Sequence, residues 1–210
     1  LGDVYKRQTI ISSYDFYGVT MIFFIVMMGA TVPANAFLEK HIKNGNTRIF
    51  YSPVSRVSIY SSKILTCFLF MALALTINII IFDTISLVNF SSDKIGYVIL
   101  LIINFVLFLT ILSSAICVTL HSEELTNVIL SNSMSVLGFL SGIFFPIASL
   151  GAIFEKIASF SPIKWTVDCI FQLIYDGQST NYWWIMFALL TLSSLLLLVV
   201  HKNYRPEDYI

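Results

Sequence analysis

From Trp183 to Val200 the chain runs eighteen residues without a charged side chain. That run limits the fold more than any other feature. A helix needs about 20 mostly apolar residues to cross a hydrocarbon core of about 30 Å. Inside lipid each backbone amide must be satisfied within the protein, which leaves helices and closed barrels. Four further stretches have the same character, roughly 16–37, 64–82, 97–120 and 128–146. Barrel strands alternate apolar and polar residues over about 10 positions, and these runs are longer and uniformly apolar. Only 11% of the residues are charged, against about 25% in soluble domains. The expected fold is all-α, a polytopic membrane helical bundle with five spans. Rings mark the boundaries, with Tyr14, Phe16 and Tyr17 before the first span, Tyr97 before the third, and Trp183 and Trp184 before the fifth. Such side chains favour the membrane–water interface.

Lys and Arg set the orientation. The 38–63 loop carries Lys40, Lys43, Arg48, Arg56 and Lys63, and the tail carries Lys202 and Arg205. The turn at 121–126 has none. The loops on the opposite side carry only Lys94, Lys156 and Lys164. Seven against three places the 38–63 loop and the tail in the cytoplasm. With five spans the N-terminus is then external. No signal peptide is apparent and the first residue is Leu1, so a sixth, upstream span is expected in the full-length protein. Residues 1–15 read as an external or artefactual N-terminal segment, and residues 16–210 as the transmembrane domain.

Two segments interrupt the pattern. In the 38–63 loop, Glu39 and Lys43 stand four apart, a spacing that suits a helical ion pair, and Asn44-Gly45-Asn46 reads as a stop. Ser52-Pro53 reads as a new helix start, with Ser52 as N-cap. Val54, Val57, Ile59 and Tyr60 would lie on the membrane or the next span, with Arg56 and Lys63 toward water or headgroups. One reading is an interfacial amphipathic helix with a basic rim; the other is a docking surface for a cytoplasmic partner. The second segment, 147–180, is apolar but broken at Gly151 and Pro162, with Pro146 just before it. Its pieces, 150–160 and 162–175, are too short to span, so they read as a re-entrant or interfacial helix pair before the last span. Its role is a structural cap or an outer gate.

Much chemistry is missing. There is no G-x-x-x-x-G-K-[ST], H-E-x-x-H or G-x-S-x-G, so neither a P-loop nor a hydrolase motif is present. Net charge is zero, which argues against nucleic-acid binding by phosphate neutralisation. His41, His121 and His201 fall at cytoplasmic span ends and read as solvated rather than metal-binding. Asp15 and Asp83 read as interfacial carboxylates. Asn78, Asn104 and Asn132 lie within spans, where amides bridge helices, and Cys67 and Cys117 read as small packing residues. Gly138 and Gly142 form a G-x-x-x-G that allows close helix approach. No cofactor or metal is expected.

The loop pattern Glu39…Gly45…Arg48…Ser52-Pro53-Val54-Ser55-Arg56…Tyr60…Lys63 resembles the connecting loop of ABC-transporter permeases of the type-2 exporter class. Leu140-Ser-Gly-Ile-Phe-Phe-Pro-Ile147, Phe160-Ser-Pro-Ile-Lys-Trp165, Tyr175-Asp-Gly177 and the ending Tyr204-Arg-Pro-Glu-Asp208 are similar to later parts of that family. The resemblance covers about 16–206; the family's first span is absent. It implies a bacterial plasma-membrane exporter subunit with no catalytic site of its own. Its partners would be cytoplasmic ABC ATPase subunits, a second permease subunit (identical or different) and the lipid bilayer. Glu39, Lys43, Gly45, Arg48, Pro53 and Arg56 would dock the ATPase through a coupling helix. Phe144, Phe145, Pro146, Pro162 and Trp165 would form the outer gate. Few fixed charges within the spans favour an amphipathic drug-, peptide- or lipid-like cargo. The competing readings are a secondary transporter or channel subunit, which calls for intramembrane charges or inverted repeats, a membrane enzyme, and a non-catalytic structural subunit.

Overall fold

The computed structural model describes residues 13–38, 54–84, 95–144, 156, 158–176 and 181–204. Among these residues every regular element is a helix. In chain order they are α1 (Ser13–Met28), α2 (Thr31–Leu38), α3 (Arg56–Thr84), α4 (Ile95–Leu120), α5 (Glu123–Leu140), α6 (Pro162–Phe171) and α7 (Tyr182–Asn203). A π-helical turn, Gln172–Asp176, continues α6.

Four described segments are long and apolar enough to cross a membrane, Phe16–Phe37, Arg56–Phe82, Ile95–Leu120 and Tyr182–Asn203. The first is not one helix. Pro33 has no N–H for the carbonyl of Gly29, so the α-ladder fails there. The chain passes instead through i→i−3 bonds, Ala30 N–H to Met27 O at 3.1 Å and Val32 N–H to Gly29 O at 3.0 Å. α2 then restarts with Pro33 in its first turn, where the missing donor is harmless.

The expected fourth span, 128–146, is occupied by α5, which has 18 residues and stops at Leu140. Gly142 takes φ 80°. Its N–H bonds Phe139 O, and the Ile143 N–H reaches back to Gly138 O at 3.3 Å. This is the double closure of a glycine C-terminus. At about 1.5 Å per residue α5 is shorter than the hydrocarbon core. The G-x-x-x-G therefore divides its roles. Gly138 is a close-packing site, since a Cβ there would meet Phe144 at 3.3 Å, whereas Gly142 ends the helix.

α4 is the hub. It packs against α2, α3, α5, α6 and most extensively α7. Its C-terminal half buries Ser113, Ser114, Ala115 and Cys117, and these small residues bring the Cys117 thiol to the Ala34 carbonyl at 3.7 Å. α3 touches the bundle along one stripe, Ile64, Cys67, Met71, Leu75 and Ile79, and exposes Leu65, Leu69, Phe70, Leu73 and Ile77 on the other face. A helix apolar all round has lipid as its outer neighbour. α7 is built the same way, with Trp183, Trp184, Phe187, Leu195 and Leu198 outward. α5 differs. It buries only Thr126, Leu130, Met134 and Gly138, and leaves Ser131, Asn132, Ser133 and Ser135 exposed.

α6 starts at half depth. Ser161, Pro162 and Ile163 share a cavity with Phe108, Leu109 and Leu112, near the midpoint of α4. At its other end Phe171 stacks on Phe16, at the start of α1, with ring centroids 5.3 Å apart. A helix that begins beside the middle of a span and ends level with span termini has re-entrant geometry. Of the expected first piece, 150–160, only Lys156 and residues 158–160 are described.

Candidate functional site

Two regions gather polar and aromatic side chains, one at each end of the bundle. The first joins the end of α2, the start of α3 and the end of α7. α3 begins at Arg56 rather than at Pro53, because Ser55 is the residue that caps it, its hydroxyl accepting the Ser58 N–H at 3.2 Å. Tyr60, one turn later, is buried and shares a 3.1 Å hydrogen bond with Nδ1 of His201 on α7. Its ring meets Tyr204 edge-on at 5.5 Å, and Tyr204 meets Phe37 at 6.0 Å. Burial pushes the Tyr204 hydroxyl up to about 12, so it stays neutral. Lys63 is half-buried. Its ammonium lies 5.5 Å from the centre of the Phe37 ring and donates to the Phe37 carbonyl at 3.4 Å, where a cation complements the open carbonyls of a helix end. This cluster joins the two helix ends that bracket residues 39–53 to the end of α7.

The second region is at the opposite end of the bundle, the one expected to be external. A cavity of about 430 Å³ is lined by Trp165, Asp168, Cys169, Gln172, Asn181, Trp184 and Ile185. Trp165, Asp168 and Gln172 follow at helical spacing on α6 and its π turn; Asn181 and Trp184 do so at the start of α7. The Gln172 N–H is shared between the Asp168 and Cys169 carbonyls, where the helix widens. Trp165 is fixed by its indole N–H, which donates to Ser159 O at 2.6 Å. Its ring stands at 74° to that of Trp184, with centroids 5.8 Å apart. Burial raises the Asp168 carboxyl above its usual range, more than the charge of Lys164 lowers it. A separate, almost wholly apolar cavity of about 270 Å³ lies between α4, α5 and α6 and includes Phe160 and Pro162.

Of the expected docking residues only Arg56 is described; it is exposed at the first position of α3. Glu39, Lys43, Gly45, Arg48 and Pro53 lie outside the described residues, as do Phe145 and Pro146 of the expected gate. Trp165 lines the outer cavity and Pro162 the apolar one. Phe144 packs elsewhere, on Phe24 of α1 and Phe139 of α5. The three amides part company. Asn104 ties α4 to α7 by donating to Met186 O at 3.1 Å, Asn78 turns back to Ala74 O on its own helix, and Asn132 is exposed. Sequence reasoning passed over Tyr60–His201 and the Trp165–Asp168–Trp184 group. Helical spacing aligned each half of the latter, but nothing in the sequence joined α6 to α7.

The broken first span, the lipid-facing α3 and α7 and the re-entrant α6 define a polytopic α-helical membrane protein. The chain matches the sequence model of the family described as "ABC-2 family transporter protein" over residues 3–200, and it belongs to that family. The match starts inside the segment read above as external or artefactual. No curated protein and no solved structure shows a significant match. The family makes this a membrane subunit of ABC transport rather than a catalytic enzyme.

Proposed function

We propose that the chain is the permease subunit of an ATP-driven exporter in a bacterial plasma membrane. It works with a second permease subunit and takes force from separate cytoplasmic ATPase subunits. The observation that carries this reading is the family match over residues 3–200 in a chain without a P-loop. The 38–63 loop, with Glu39, Lys43, Gly45, Arg48, Pro53 and Arg56, is the docking element. Support comes from the Tyr60–His201–Tyr204 cluster, which ties the start of α3 to the end of α7. A push on the loop then reaches the packed α4–α7 pair. ATP binding favours one arrangement of the spans and its hydrolysis the other, so alternating access follows from differential contacts. The exposed polar positions of α5 suit a second permease subunit better than lipid. Phe144, Phe145, Pro146, Pro162 and Trp165 close the outer side, and the apolar cavity beside Pro162 suits an amphipathic cargo.

The test is reconstitution with the ATPase that co-purifies with the full chain. Charge reversal at Arg48 or Arg56 should lower cargo-stimulated ATP hydrolysis while membrane insertion stays intact. Undiminished stimulation in both variants would remove the docking assignment.

A further inference from the structure

We infer that the outer cavity between α6 and α7 is a binding site for an organic ammonium group. Its volume, about 430 Å³, falls in the range of small-molecule sites, roughly 300–1,000 Å³. Two indole rings at 74° form two walls of a corner, and the bond from Trp165 to Ser159 fixes one of them. The Asp168 carboxylate, an acceptor for a positive charge, lines the same cavity. Gln172 and Asn181 add neutral amides, and Ile185 an apolar floor. Among the described lining residues none is cationic.

The donor set selects the kind of cation. Ca²⁺ takes six to eight oxygen ligands, and Mg²⁺ holds its water tightly; one carboxylate beside two indoles serves neither. Aromatic faces attract weakly hydrated alkylammonium groups, most strongly where water is displaced. The charge balance points the same way. Lys164, one turn before Asp168, is the positive group already acting on it, and its pull is weaker than the effect of burial. A cation bound beside Asp168 would add to the pull of Lys164 and lower its carboxyl again. The ammonium can come from a lipid headgroup or from a soluble amine. This assignment does not depend on the ATPase docking proposed above.

The experiment uses the full chain in phosphatidylglycerol nanodiscs, which contain no ammonium lipid, without nucleotide or ATPase. Two of the three tryptophans line the cavity, so indole fluorescence reports on it. Choline should give a saturable change, and its neutral isostere 3,3-dimethylbutan-1-ol should not. Asp168→Asn should weaken choline binding at least five-fold, Asp168→Glu should retain it, and Trp183→Phe should leave it unaltered. Trp184→Leu, checked for folding by circular dichroism, should also weaken it. Equal responses to choline and the isostere, or unchanged affinity in Asp168→Asn, would overturn the assignment. A repeat in phosphatidylethanolamine nanodiscs separates the sources, each consistent with the site. Weaker apparent choline binding identifies the lipid headgroup as occupant, and unchanged binding identifies a soluble amine.

Discussion

His121 is the one non-glycine residue with positive φ, 53°, among the described residues. It turns the chain from α4 into α5 with only Ser122 besides. An L-residue in this region carries a steric cost of roughly 1–2 kcal/mol that glycine avoids. His121→Gly should match or exceed the wild type in thermal unfolding in detergent, whereas His121→Val should lose at least about 1 kcal/mol by the same steric argument. Asp168 gives a pH signature. Its folded carboxyl lies above the ordinary 3.8 because burial outweighs Lys164, so the folded state holds the proton more tightly than the unfolded one. Its contribution to stability is greatest at low pH and is lost as pH rises from 3.8 through the raised folded value. Asp168→Asn removes that loss. Unfolding curves of the two proteins should converge in acid and separate in favour of the variant toward neutral pH. Residue roles were legible where chemistry is local. Asn104 within a span predicts an interhelical bond, and the structure supplies one. The Lys63 contact was not legible, because the ring it covers, Phe37, belongs to another helix.

Charge-free runs located α3, α4 and α7 because lipid requires uninterrupted apolar length. Breaks inside such runs depend on single residues. Pro33 and Gly142 each stand in an apolar stretch, and hydropathy alone does not register a missing N–H or a left-handed turn. The structure therefore divides the first span and shortens the fourth. Gly142→Ala should cost about 1 kcal/mol for its φ, and protease or denaturant stability of the reconstituted chain would measure it. An unchanged midpoint would mean that the end of α5 relaxes. The break read at Pro162 coincides with the start of α6, since proline fits the first turn of a helix. Its depth was not legible, because depth comes from the contact with Phe108 and Leu112 on α4.

At the scale of the whole molecule, the Tyr60–His201–Tyr204 cluster joins the start of α3 to the end of α7, and in the proposed transporter it would link loop and bundle mechanically. Tyr60→Phe keeps the ring contacts with Tyr204 and should retain most coupling. Tyr60→Ala removes them and should lower cargo moved per ATP hydrolysed several-fold, measured in proteoliposomes with the partner ATPase. Equal coupling in both variants would dismiss the link. The all-helical, membrane-crossing architecture was readable from composition and run length; the cluster was not, since Tyr60 and His201 stand 141 positions apart. One joint carries a last consequence. The hydroxyls of Ser141 and Ser161 face each other at 3.4 Å, where the shortened α5 ends and α6 begins. On that flank the bundle presents a ten-residue helix in place of a through-going one. Parting the protein there means unseating one short plug and separating two hydroxyls, with no full-length helix obliged to tilt. On the export reading proposed above, a seam of that kind would let cargo leave sideways into the lipid while the rest of the bundle stays shut.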